Sequence, residues 1–159
     1  MDIAIEDLFR MVREGTLPKD FSDWSTVNQN HWSVAHEAAR YNQLPKDFKD
    51  YNIANHDGWS VAHTFVTFHT PPEDFKDWNL ADKTGWSVAH QAVLYDCLPK
   101  DFKDWGMSDN GGWTIAHTAA FNSCLPEDFH LTYPEIWKLK DKYGRSVESI
   151  AIENCYLVY

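Results

Sequence analysis

Apolar and polar positions follow one pattern that returns every 27 residues along this chain. Each copy contains a five-residue motif, Trp-Ser-Val-Ala-His at 32–36, 59–63 and 86–90, and Trp-Thr-Ile-Ala-His at 113–117. The small apolar residues that follow the serine or threonine are spaced to line one face of a helix. The hydroxyl residue stands where an N-cap would satisfy free backbone N–H groups. The pattern therefore predicts a short helix in each copy, ending near positions 41, 68, 95 and 122.

A second motif keeps the same interval. Leu-Pro-Lys-Asp-Phe or a close variant occupies 17–21, 44–48, 71–75, 98–102 and 125–129. Proline suits the first position of a helix, and an acidic residue suits its first turn. The motif predicts a second, shorter helix of one or two turns, followed by an extended link.

Turns precede the longer helices. At 55–58, 82–85 and 109–112 an Asn or Asp opens the turn and a glycine closes it, which is favourable turn chemistry. In the first copy, at 28–31, His31 takes the place of the glycine. We expect that turn to be less regular.

Both ends of the chain depart from the repeat. Apolar residues from Ile5 to Val12 have the spacing of an amphipathic helix, and Gly15 is placed to end it. After Phe129 about five residues are inserted, and then the turn and the capping serine return with Arg145 at the tryptophan position. Units that repeat in this way bury their apolar faces by stacking on one another. We predict one all-α repeat domain over 1–159: a capping helix at 1–16, four repeats at 17–124 and an irregular capping repeat at 125–159.

The Gly-Trp-Ser-Val-Ala-His-x-Ala pattern resembles the ankyrin repeat, whose signature is Asp-x-x-Gly-x-Thr-Pro-Leu-His-x-Ala-Ala. The match is clearest at 82–92 and 109–120. The usual unit is about 33 residues long, so this chain is similar to a short, 27-residue variety whose second helix has shrunk. The resemblance implies an ankyrin-like solenoid of short helix-turn-helix units with turn or hairpin links. It also implies a partner-facing surface formed by the turn tips and the concave face of the first helices.

The recurring tryptophans and histidines form two columns. In ankyrin repeats the equivalent histidine bonds to its capping residue and to neighbouring backbone, and the resemblance implies that structural role here. Metal binding is not expected, because stacked helices lie roughly 8–10 Å apart, too far for shared ligands. The tryptophans are interpreted as a packing ladder, with a partner-facing role as the alternative. The two columns consist of Trp32, His36, Trp59, His63, Trp86, His90, Trp113 and His117.

Positions that differ between copies are the candidate partner-binding residues, because recognition requires variation on one face. They lie in the turns and at the ends of the first helices, where aromatic side chains would act as anchors. The alternative for the helix-end residues is a place in the core. The candidates are Gln29, Asn30, Arg40, Tyr41, His56, Asp57, Thr67, Phe68, Lys83, Thr84, Leu94, Tyr95, Asn110 and Phe121.

The chain has 24 acidic and 14 basic side chains, a net charge of −10. Such a charge disfavours direct binding of nucleic acid and of anionic membranes. The acidic residues recur in columns, one of which begins at Asp20 and the other at Asp23. They are interpreted as helix-start residues, with mimicry of nucleic acid by an inhibitor or host-directed effector as the alternative. Lysines beside them dilute the charge.

No catalytic constellation is apparent in the sequence. It lacks a convergent Ser/His/Asp set, a phosphate-binding glycine loop and a His-Glu-x-x-His pair. We predict a monomeric, non-catalytic module without a cofactor that binds a partner protein. The three cysteines are expected to be reduced. Since no secretion signal or long apolar run is seen, the expected location is the cytoplasm, or a host cell reached by another route.

Overall fold

A computed structural model describes residues 3–154, and Cys155 lies outside the described residues. Within 3–154 the regular structure is helical, without a strand. The helices are α1 (Ile5–Glu14), α2 (Val34–Arg40), α3 (Val61–Phe68), α4 (Val88–Leu94), α5 (Ile115–Phe121), α6 (Phe129–Thr132), α7 (Pro134–Trp137) and α8 (Val147–Glu153). Single β-bridges flank the turns that precede α2 to α5 and α8.

Contacts divide the chain into two compact units, the first ending at Lys83 and the second beginning at Thr84. In the first unit α1 packs on α2, and α2 packs on α3. In the second unit α4 packs on α5. Helix α5 packs directly on α8, although α6 and α7 lie between them in the sequence. The assignment of 1–159 to one repeat domain stays a prediction.

The helices begin at the predicted hydroxyl residues. The side-chain oxygen of each N-cap accepts a hydrogen bond from the backbone N–H three residues further on, which satisfies one of the N–H groups that a helix start leaves unpaired. Three of the helices are followed by a residue with positive φ, Asn42, Asp96 or Ser123, and a left-handed residue at this place ends a helix. The N-caps are Ser33, Ser60, Ser87, Thr114 and Ser146.

Small side chains let α2 be buried on two sides. Val34 and Ala38 pack against α1, and Ala35 and Ala39 pack against α3. All four side chains are fully buried. A helix that is apolar on both sides belongs in the middle of a stack, which is what repetition of the motif predicts.

The predicted second helix is wrong for the first four copies. In every copy the Leu-Pro-x-Asp-Phe motif forms one turn in which the phenylalanine N–H donates to the proline carbonyl, at 3.0–3.2 Å. Only in the last copy does a short helix, α6, follow. A single turn gains few hydrogen bonds against the cost of starting a helix, and in four of the five copies the phenylalanine side chain is buried directly after the turn. Phe48, Phe75, Phe102 and Phe129 are buried.

An aromatic residue follows Phe21, Phe48, Phe75 and Phe102 at an interval of three positions, and it packs edge-on against the phenylalanine in each case. The ring centroids of Phe21 and Trp24 are 5.0 Å apart, and those of Phe75 and Trp78 are 4.8 Å apart. Edge-to-face contact is the preferred geometry of such pairs. Aromatic packing therefore fixes the segment after each turn, where a second helix was expected.

The expectation of an irregular first turn is also wrong. The His31 N–H donates to the Asn28 carbonyl at 3.0 Å, and the Gly58 N–H donates to the Asn55 carbonyl at 3.1 Å. His31 matches the glycine by adopting φ 57°, whereas Gly58 has φ 82°. Histidine is among the side chains that enter this region more often than most.

Candidate partner-binding surface

Each repeated histidine is fixed by its own N-cap. The Nδ1 atom of His36 lies 2.6 Å from Ser33 Oγ and also accepts the Ser33 N–H, while Ser33 Oγ accepts the His36 N–H. Because Nδ1 accepts, the Nε2–H donates, and it does so to the Trp59 carbonyl of the next copy at 2.9 Å. His117 repeats this arrangement in the second unit, with the Arg145 carbonyl as acceptor at 3.1 Å. The histidine thus joins its helix start to the following turn.

A serine hydroxyl within hydrogen-bonding reach of an imidazole is also the geometry of a catalytic nucleophile and its base. Here His36 is fully buried and Ser33 is 1% exposed. Both ring nitrogens and the hydroxyl have the partners given above. The pair is therefore arranged as a helix cap, without an open face towards a substrate.

Burial lowers the pKa of the His36 imidazole, because desolvation disfavours the charged ring; the bond to the Trp59 carbonyl opposes the shift and the charge of His63 adds to it. Desolvation likewise lowers the pKa of His117, against an opposing bond to the Arg145 carbonyl. Both histidines are consequently held in the neutral form that the hydrogen-bond pattern requires.

The repeated tryptophans are half-buried and lie over the histidines, with ring centroids 4.5–5.2 Å apart. Each indole N–H donates to the side chain five residues further on. This position varies between copies, but every residue found there offers an acceptor oxygen. The pairs are Trp32 with Glu37, Trp59 with Thr64, Trp86 with Gln91 and Trp113 with Thr118, at 2.9–3.2 Å.

The side chains at the ends of α2 to α5 are exposed. Tyr41 is 40% exposed, Phe68 50%, Tyr95 47% and Phe121 60%, and Leu94 beside Tyr95 is similar. The other apolar residues of these helices are buried. The helix-end candidates therefore lie outside the core, on the surface.

In the first unit three of the candidates come together. The Arg40 guanidinium lies 5.7 Å from the centre of the Tyr41 ring and 5.5 Å from that of Phe68. His69 Nε2 also lies 3.1 Å from the Arg40 carbonyl. A guanidinium over an aromatic face is attractive, since the ring face is electronegative. These contacts hold an exposed cation between two exposed rings from successive copies.

The candidates in the turns are exposed too, and two of them line a groove. Gln29 and Asn30 face α1 across an open groove of about 690 Å³. Ile5, Phe9 and Val27 give the groove apolar walls, and the Arg13–Glu37 ion pair forms part of it. His56, Asp57, Lys83, Thr84 and Asn110 lie at other turns and are exposed. Thr67 is half-buried and donates to the His63 carbonyl at 2.7 Å.

Acidic and basic side chains alternate around the second-motif turns. A shallow pocket of about 290 Å³ is lined by Lys46, Lys49 and Lys76 together with Asp47, Asp74 and Asp77. Burial of Tyr51, which also lines this pocket, raises the pKa of its hydroxyl, and the carboxylates of Asp74 and Asp77 add to the shift. Lysines therefore interrupt the acidic columns in space as well as in sequence.

Within residues 3–154 no group of three or more His, Cys, Asp or Glu side chains is placed to hold a metal ion. His31 and His56, at successive turns, have ring centroids 5.9 Å apart. The sequence interval between them gave no sign of this pairing. Two imidazoles fall short of the three protein ligands that even an open zinc site has. In the same described range Cys97 and Cys124 are thiols.

Sequence reasoning missed a second group of exposed side chains, at the last turn. Tyr143 is 72% exposed and neighbours Arg145, which takes the tryptophan position of the repeat. In the sequence, Arg145 at the tryptophan position indicates only a departure from the repeat. Lys138, Lys140 and Lys142 lie close to Arg145 in the sequence and could have indicated a basic surface at this turn.

No family model matches the sequence, and no curated protein matches it significantly. Solved structures do resemble it. The ankyrin repeat domain of Bcl-3, a member of the IkappaB protein family, superposes with a TM-score of 0.60 at 18% identity, over 92% of this chain and 74% of that one. A chain from the complex of a predatory endopeptidase of Bdellovibrio bacteriovorus with an immunity protein gives 0.62 at 17% identity, over 92% and 90%.

The fold is that of an ankyrin-like repeat protein. Its ankyrin-like units differ from the expected ones in having one helix and an aromatic-anchored turn in place of two helices. No helix of residues 3–154 has the length and apolar character needed to cross a membrane.

Proposed function

We propose that this chain is a non-catalytic module that binds a partner protein through its turn tips and the ends of its repeated helices. The observation that carries the proposal is the exposure of apolar and aromatic side chains at the ends of α2 to α5, where all other apolar side chains of those helices are buried. Burying such side chains against a partner yields about 25 cal/mol per Å² of apolar surface.

The chemistry of these side chains suits an interface. Tyrosine and arginine are among the residues that most often dominate binding energy, and Arg40, Tyr41 and Phe68 are already in contact. Contacts that exist before binding reduce the side-chain entropy lost on association. The groove beside Gln29 and Asn30 adds a concave surface on the same unit that is partly apolar and partly polar.

Two further observations support a binding role. A chain of the same fold occurs in a complex between a predatory endopeptidase and an immunity protein. The Ser33–His36 type of pair, which could suggest catalysis, is buried and fully hydrogen-bonded. The tryptophan and histidine columns, in this proposal, form a structural ladder that supports the exposed residues.

Charge mimicry by an inhibitor or effector remains the alternative from the sequence. Lysines among the acidic columns do not favour it. Direct contact with nucleic acid is disfavoured by the net charge of −10. We therefore retain partner binding as the function, with the chain as a monomer.

Affinity capture from native lysate tests the proposal. The variant carries Tyr41→Ala, Phe68→Ala and Tyr95→Ala, and a matched control carries Ile3→Ala, Leu131→Ala and Ile152→Ala, which are exposed to a similar degree. We expect the wild type and the control to retain a protein that the variant loses, by about tenfold or more. Equal capture by all three folded proteins would place recognition elsewhere.

A further inference from the structure

Five side chains of the second unit, four of them exposed and one half-buried, form a continuous strip. The Arg145 guanidinium lies 4.9 Å from the centre of the Trp113 indole and 5.3 Å from that of the Tyr143 ring. Lys142 Nζ lies 5.0 Å from the Tyr143 ring, and the Phe121 ring lies 6.3 Å from Trp113. We call these five residues the cation–aromatic strip.

Asp141 fixes the conformation of the strip. Its Oδ1 accepts the N–H groups of Tyr143 and Arg145, both at 2.9 Å, and its Oδ2 accepts the Arg145 Nε–H and Nη2–H at 2.8 and 2.6 Å. Burial of this carboxyl acts to raise its pKa, but the hydrogen bonds from Arg145 and Tyr143 outweigh burial and lower it. Asp141 is therefore a charged, buried residue that holds Arg145 in place. Because Arg145 is already ordered, it loses little side-chain entropy when a ligand binds.

The Lys142 backbone fixes the strip from its other end. Its N–H donates to the Gly111 carbonyl of the preceding turn at 2.8 Å. The Lys142 side chain is exposed above Tyr143, which is itself 72% exposed. A rigid backbone thus presents a cation and a ring side by side.

The charge around the strip is opposite to that of the chain. Four of the eight residues from 138 to 145 are basic, and all four are exposed: Lys138, Lys140, Lys142 and Arg145. The one acidic residue among them, Asp141, is buried and paired with Arg145. The rest of the chain is strongly acidic, since the net charge is −10. A negatively charged ligand is therefore attracted here and repelled from most of the remaining surface.

We propose that the cation–aromatic strip binds an acidic segment of a partner protein, with carboxylates against Lys142 and Arg145 and an apolar side chain against Tyr143 and Phe121. The inference rests on the proposed function as a protein-binding module and adds the chemistry of one partner segment. Exposed rings favour an apolar side chain in that segment, since they offer apolar surface that a purely ionic ligand would leave in water.

Fluorescence anisotropy with the purified full chain tests the inference. The probe is a labelled synthetic peptide that alternates glutamate with phenylalanine, and the comparison peptides alternate lysine with phenylalanine and glutamate with alanine. The variant is Lys142→Glu with Tyr143→Ala. The matched control is Lys103→Glu with Leu131→Ala, an exposed lysine and an exposed apolar residue of the same unit.

We expect the glutamate–phenylalanine peptide to bind about tenfold more tightly than either comparison peptide, and the variant to lose about tenfold in affinity while the control loses none. All substituted side chains are exposed, so folding is expected to persist and is checked by thermal unfolding. Equal binding of the peptides, or retention by the variant, would overturn the inference. So would tighter binding of a single-stranded oligonucleotide, or a dimer that the variant disrupts.

The two proposals fail separately. The variant of Tyr41, Phe68 and Tyr95 could lose lysate capture while the peptide fails to bind the wild type. That result would support the proposed function and overturn the proposal that the strip binds an acidic segment. The peptide could instead bind while the triple substitution leaves lysate capture unaffected. That result would support the strip as a binding site and overturn the proposal that the helix ends bind the partner.

Discussion

At the scale of single residues, the repeated histidine does the work that glutamate or glutamine does in an ordinary capping box. Its Nδ1 accepts the N-cap N–H, and its own N–H donates to the N-cap hydroxyl. The imidazole adds a bond that a carboxylate cannot make, because Nε2–H donates to the next copy. One side chain therefore starts its own helix and links successive copies.

This role makes stability depend on pH. The unfolded histidines have a pKa of about 6.5, and folding lowers the pKa of His36 and His117. Their contribution is therefore present above about pH 6.5 and is lost as the pH falls below that value. As the pH falls below about 6.5 we expect the free energy of unfolding to fall, with each of these histidines contributing a slope of up to about 1.4 kcal/mol per pH unit.

Urea unfolding followed by tryptophan fluorescence at a series of pH values measures this slope. The control carries His36→Gln and His117→Gln, because glutamine keeps a capping acceptor and does not titrate. We expect a shallower slope in this control. An unchanged slope there, or a wild type that gains stability on acidification, would be incompatible with the neutral-histidine cap.

At the scale of elements, an ion pair joins the N-terminal helix to the repeats in addition to the apolar packing of α1 on α2. Arg13 Nη1 lies 2.7 Å from Glu37 Oε1, and the other carboxylate oxygen accepts the Trp32 indole N–H at 3.2 Å. The Glu37 side chain is 8% exposed and that of Arg13 is 45% exposed. In another copy Gln91 accepts the Trp86 indole without any charge. The acid at position 37 therefore requires Arg13, whereas a glutamine there would not.

We expect Arg13→Met to destabilise the chain by about 1–2 kcal/mol, less than loss of a partner from a fully buried pair because Arg13 is half-exposed. In a Glu37→Gln background the same substitution should cost well under half as much. Chemical denaturation of the four proteins of this double-mutant cycle measures the difference. A cost of Arg13→Met that is the same in both backgrounds would contradict the pairing.

Elements also show how far the sequence was informative. The helices that follow Ser33, Ser60, Ser87 and Thr114 could be predicted because their caps and apolar spacing are local signals. The second motif carried a proline and an acidic residue that suit a helix start, but its phenylalanine is anchored in the core after one turn. Each of the first four phenylalanines packs on the aromatic residue three positions later, which is a local contact. Contacts between copies, such as that of Phe48 with Trp24 at 5.7 Å between ring centroids, have no local signature.

At the scale of the whole molecule, the repeat pattern predicted the ankyrin-like fold. The contacts within the candidate surface could be described only from the structure. Variation between copies selected Tyr41, Phe68 and Phe121, and these are exposed. The contact of Arg40 with Phe68, and that of Arg145 with Trp113, join residues 28 and 32 positions apart. Such pairs depend on how copies stack and on side-chain rotamers, so a motif that is read one copy at a time does not contain them.

Site-specific photocrosslinking tests the central claim of partner binding through the helix ends most directly. A photoreactive phenylalanine derivative replaces Tyr41 or Tyr95 in separate proteins, and Lys19 or Lys103, exposed at second-motif turns, in the controls. After irradiation in native lysate, we predict one crosslinked protein shared by the Tyr41 and Tyr95 positions and absent from both controls. The same protein crosslinked only from Lys19 or Lys103 would contradict the account.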